Sequence, residues 1–130
     1  MKVFFTGLII ILNSALAFSQ EAEFSLLDKK TIKFPDTEAG KTLEHTFHFK
    51  NTGTTPLIIE DYEVACTCTK LTYPKHPILP GQSGELKLSF DTQGKYYFQD
   101  RNVLIKMNTK KQTERIRLKV YVIPQGHTKW

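Results

Sequence analysis

One segment limits the fold more than any other. From Thr42 to Lys50 the side chains alternate strictly, with Leu43, His45, Phe47 and Phe49 on one face and Glu44, Thr46, His48 and Lys50 on the other. A period of two residues belongs to a β-strand that buries one face and wets the other. The same period returns over 84–91, where Leu86, Leu88 and Phe90 face inward, then at Val103, Ile105 and Met107, and again at Ile116, Leu118, Val120 and Val122. Apolar spacings of three and four are nowhere sustained, so helices are not expected.

Between the strands stand residues that turn the chain. Asn51-Thr52-Gly53 ends the first strong strand with side-chain hydrogen bonding and an expected positive φ at the glycine. Leu57-Ile58-Ile59 opens the next, running to Ala65, as a continuous apolar run of the kind that suits a central position in a sheet. A loop through Pro74 and Pro77 follows, and Pro80-Gly81 fits the middle of a type II turn. Gln93-Gly94 and 108–112 mark two more turns. With a weaker strand at 31–34, and pairing at 24–27, the count reaches about seven strands, the pattern of a β-sandwich.

The N-terminus is of another kind. Lys2 precedes an apolar run from Val3 to Leu12, shorter than the roughly 20 residues needed to span a bilayer. Ala17-Phe18-Ser19 then offers the small residues of a signal-peptidase site, and cleavage is expected between Ser19 and Gln20. Cleavage after Ala17 is the alternative. The organisation expected is a signal peptide at 1–19, an extension at 20–30, a sandwich domain at 31–123 and a tail at 124–130 ending in a loose Trp130. The product is exported, periplasmic or extracellular, with no integral membrane span after cleavage. Taking 19 residues from 130 leaves 111, enough for one domain with its own core.

Export bears on the charge. The formal +5 falls to +4 with the loss of Lys2, and Lys106, Lys110, Lys111, Arg115, Arg117 and Lys119 supply much of it. In a strand their alternation with apolar residues places them on the solvent face, so nucleic acid is not expected as a partner. Glycine-rich phosphate loops, nucleophile elbows and His-Glu-x-x-His pairs are all missing, so the chain is not expected to be an enzyme. Glu60, Asp61 and Glu63 read as solvated surface, His45 as a packed histidine, and Tyr96-Tyr97-Phe98 as core and strand-pairing aromatics, with a recognition surface for glycan or protein as the alternative.

The residues that could carry chemistry are Cys66 and Cys68. Two residues apart in an extended chain, their Cα atoms would stand roughly 6.6 Å apart, at the upper end of disulfide reach, so oxidation requires a kink. Three readings stay open. An even cysteine count in an exported chain points to a disulfide or a pair of thiols. Two thiolates also suit a soft metal such as Cu(I), whereas a zinc site lacks its other two ligands. A redox-active or partner-crosslinking pair is the third.

Five pieces in order carry a resemblance: Phe47-His48-Phe49-Lys50-Asn51-Thr52-Gly53, Pro56-Leu57-Ile58-Ile59, Cys66-Thr67-Cys68-Thr69, Pro77-Ile78-Leu79-Pro80-Gly81 and Leu88-Ser89-Phe90-Asp91-Thr92. Together they resemble the bacterial domain of unknown function 1573 family, related to the abnormal-spindle and hydin type of immunoglobulin-like domain, over about residues 31 to 123. The resemblance implies a seven-stranded sandwich like that of the major sperm protein, an exported location and no established enzymatic activity. It also implies that the cysteine motif is the family's own, usually Cys-Gly-Cys-Thr. Here Thr67 stands at the glycine, and Tyr96 to Arg101 lacks a second glycine after Gly94. The reading reached is an exported, non-catalytic binding or scaffolding module whose partner is another envelope or extracellular protein. A copper-binding or thiol-redox role for Cys66 and Cys68 is the alternative.

Overall fold

A computed structural model describes residues 20–126. The expected signal peptide and Trp130 lie outside the described residues. Nine strands run through the rest: β1 (Phe24–Leu26), β2 (Thr31–Lys33), β3 (Thr37–Glu38), β4 (Thr42–Asn51), β5 (Ile59–Val64), β6 (Thr69–Thr72), β7 (Ser83–Asp91), β8 (Tyr97–Met107) and β9 (Thr113–Ile123). They form two sheets, β1-β4-β7-β6 and β2-β9-β8-β5, with β3 also against β9. This is an immunoglobulin-like β-sandwich. No helix among the described residues is long and apolar enough to cross a membrane.

The alternation builds the core directly. Phe47 and Phe49 from β4 and Leu86, Leu88 and Phe90 from β7 meet Val103, Ile105 and Met107 from β8 and Ile116, Leu118, Val120 and Val122 from β9, all buried. Register follows from that pattern, because a slip of one residue would turn each of these side chains to water. Phe47 faces Leu86 across the β4–β7 pair, and Val103 faces Ile116 across β8–β9. The basic residues of β9 point outward, as their parity requires, and Arg117 is bonded to Asp100 on β8.

The N-terminal segment serves both sheets. β1 runs antiparallel to the end of β4, and the chain then crosses to lay β2 and β3 parallel to β9. Residues 20–30, set apart by sequence as an extension, thus hold a strand and the buried Ala22. The segment that leads into β1 also explains Gly53. Its φ is not positive; a Cβ there would stand 2.2 Å from the Glu21 carbonyl oxygen and 2.5 Å from the Glu23 nitrogen. Close backbone approach, and not turn geometry, requires glycine. The type II turn at Pro80-Gly81 forms as expected, with φ of +81° at Gly81 and the Gln82 N–H donating to the Leu79 carbonyl at 2.9 Å.

Two expectations need correction. The Leu57–Ile59 run is not central: β5 lies at the edge of its sheet, Ile58 is 42% exposed, and Leu57 bridges to Ile78 instead of joining the strand. The chain changes partner there: Leu57 pairs with Ile78 and Ile59 with Met107, and both side chains are buried while Ile58 between them faces water. Strand β8 starts at Tyr97, six residues before the apolar run at Val103, because its outer half pairs with β9 in unbroken register up to Val122.

Candidate functional site

The cysteines sit where the chain passes from one sheet to the other. β5 ends at Val64 in the second sheet and β6 begins at Thr69 in the first, so four residues make the crossing. They do so as a tight turn: the Thr69 N–H donates to the Cys66 carbonyl at 3.1 Å. The turn is the kink that an extended chain lacks. It brings the two Cα atoms to 5.2 Å, and Cys66 and Cys68 are joined as a disulfide. Thr67, exposed at the corner, is accommodated without a positive φ. A thiolate ligand for a soft metal exists only after this bond is reduced.

Each sulfur has a hydrogen-bonding group beside it. The backbone N–H of Cys68 donates to Cys66 Sγ at 3.2 Å, and the Thr69 hydroxyl lies 3.8 Å from Cys68 Sγ. The turn is tied to the core through β7, since the Asp91 N–H donates to the Cys68 carbonyl at 2.9 Å and Thr69 pairs with Phe90. The Arg101 guanidinium lies over that same Phe90 ring, 5.7 Å from its centre, and donates to Gln99 Oε1 at 2.6 Å. Its Nε is buried with no partner among the described residues. The sequence reading passed over Arg101, although its parity with Val103, Ile105 and Met107 places it on the inward face of β8.

The aromatic trio is placed differently from the expectation. Tyr96, Tyr97 and Phe98 are 61%, 52% and 58% exposed, and none enters the core. The strand-pairing part holds, with Tyr97 opposite Val122 and Phe98 opposite Tyr121. Tyr97 has a φ of +61°, in the left-handed region that costs an L-residue with a Cβ about 1–2 kcal/mol. Its ring consequently swings out beside those of Tyr96, at 6.5 Å, and Tyr121, at 6.3 Å. An open groove of about 290 Å³ adjoins them, lined by Ala39, Gln93, Lys95, Tyr96 and Pro124.

The other candidates are structural. His45 is half-buried with its ring edge-on to Phe47 at 4.7 Å. His48, on the opposite face, bonds Asp28 through its backbone N–H and, at 3.1 Å, through Nδ1. The backbone donor is the main reason the Asp28 carboxyl titrates below its usual range. Glu63 pairs with Lys106 at 2.7 Å, which raises the lysine's pKa, and a bulge between Ile59 and Asp61 separates Glu60 from its acidic neighbours. Among the described residues, no three His, Cys, Asp or Glu side chains gather as a metal-binding group.

Comparison with solved structures shows the fold. A protein of unknown function from Porphyromonas gingivalis W83 superposes with a TM-score of 0.69 at 20% identity, over 82% of this chain and 50% of that one. The chain thus spans half the length of that relative. The ASH/PapD-like domain 7 of human CEP192 gives 0.63 at 16% identity, over 89% of this chain and 96% of the domain. The Escherichia coli chaperone DraB gives 0.51 at 17%, over 78% and 56%. No curated protein sequence matches. A family model for proteins of unknown function, DUF1573, matches residues 26–122, so the chain belongs to the DUF1573 family.

Proposed function

We propose that the protein is an exported, non-catalytic binding module of the cell envelope whose contact surface is the aromatic end of the sandwich. The observation that carries this reading is the backbone of Tyr97. A left-handed φ at a tyrosine is held against its own preference by the surrounding pairing, and such outliers gather where a side chain is being aimed. What it aims is aromatic surface: Tyr96, Tyr97 and Phe98, consecutive at the start of β8, are all exposed, and aromatics are enriched where proteins meet. A PapD-like fold serving as a chaperone in DraB supports a role in holding another protein. The expected leader at 1–19 supports an envelope address.

The test places a photocrosslinking amino acid at Tyr96 of the exported protein in intact cells. A discrete protein adduct is expected, and Phe98→Ser is expected to abolish it while shifting stability by no more than about 0.5 kcal/mol, as is usual for an exposed side chain. An absent adduct, or one that survives Phe98→Ser, would reject the aromatic end as the contact surface.

A further inference from the structure

We propose that Cys66–Cys68 is an exchangeable disulfide that oxidises dithiols of other exported proteins, an activity separate from the binding surface. Three features of the turn carry this. The bond closes a loop of only three residues, so it restrains the chain little, and the turn around it keeps its own backbone bonds. Both cysteines are half-buried at the end of the sandwich, Cys68 against the edge of the core, and Thr67 between them is exposed. Above all, the hydrogen-bonding groups beside the sulfurs suit thiolates better than a disulfide. A disulfide sulfur is a weak acceptor, whereas the Cys68 N–H at 3.2 Å would hold a Cys66 thiolate and the Thr69 hydroxyl would favour one on Cys68. Stabilising the reduced form makes a disulfide a stronger oxidant. The Arg101 guanidinium, over the ring of the same Phe90 that pairs with Thr69, puts a positive charge at this end of the sandwich.

The donors also assign the sulfurs. A substrate thiolate attacks Cys68 Sγ and the Cys66–Cys68 bond breaks, with the electron pair leaving on Cys66, where the N–H already points. The substrate's second thiolate then attacks its own sulfur in the mixed disulfide, forming the substrate disulfide and releasing Cys68 as the second thiolate. Two electrons pass from the substrate to the cysteine pair, and the two protons of the substrate thiols go to solvent or to the new thiols.

The experiment incubates the purified protein with glutathione redox buffers, quenches with acid, and counts alkylated thiols by intact mass. A synthetic dithiol peptide is then presented to the oxidised protein. The pair is expected to be reduced by the glutathione buffer, which structural disulfides resist, and to oxidise the peptide at least about tenfold faster than oxidised glutathione does, with the fold retained after reduction. The Cys66→Ser/Cys68→Ser variant is expected to leave the peptide reduced. Resistance to glutathione, a peptide rate no better than that of oxidised glutathione, or loss of the fold on reduction would each overturn the proposal.

Discussion

Asn51 shows how much one side chain can hold. It is fully buried; its Nδ2 donates to the carbonyls of Thr55 and Ile78 at 2.8 and 2.9 Å, while its Oδ1 accepts from Gly53 and Glu23 at 2.9 and 3.2 Å. One amide thereby ties together β4, the turn after it, the approach to β7 and the N-terminal segment. Asn51→Ala leaves two carbonyls and two N–H groups without this partner, and urea unfolding is expected to show a loss of about 3 kcal/mol, since each orphaned group costs about 1–3 kcal/mol where water cannot reach it. The turn-forming character of Asn51 was legible in Asn-Thr-Gly. Its long-range bonds were not, because Ile78 and Glu23 are brought to it only by the packing of other elements.

At the scale of elements, the outer half of the β8–β9 pair depends on polar contacts. Arg117 holds Asp100 through a two-pronged ion pair, with Nε to Oδ1 at 2.6 Å. That hydrogen bond is the largest cause of the Asp100 carboxyl titrating below its ordinary range. A carboxylate whose folded pKa is depressed adds stability above its unfolded pKa of about 3.9 and loses it as pH falls through the folded value. Asp100→Asn is therefore expected to be less stable than wild type at neutral pH, with the difference shrinking as both are titrated below about pH 4. Unfolding curves at the two pH values check this; a difference that grows in acid would contradict the assignment. The buried strands announced themselves through hydrophobic alternation, but this outer half did not, because paired charges carry no period that separates a strand from a polar loop.

For the whole molecule, the question is whether the sandwich needs its disulfide. The core is apolar and continuous across both sheets. A three-residue loop restricts the unfolded chain by only about 1.5 kcal/mol on the loop-entropy estimate, far less than a long bridge between sheets would. The Cys66→Ser/Cys68→Ser variant is expected to keep its fold and cooperative unfolding with a loss of about that size. A loss several times larger would mean that the crossing from β5 to β6 is held by the bridge and not by its backbone bonds. Edge strands are the other whole-molecule matter: the N-terminal segment divides itself between the two sheets and shields an edge of each.

The alternation of apolar and polar residues determined the class of fold, the inward faces of the long strands and most of the turns, because burial at a period of two is a local property of the chain. Which strand neighbours which, why Gly53 has no room for a side chain, where the aromatic trio stands and what surrounds the two sulfurs were decided by tertiary structure. Each of these depends on residues far apart in sequence meeting at one place. Local spacing measured along an extended chain put Cys66 and Cys68 at the limit of bonding, and only the turn between the two sheets brings them within it.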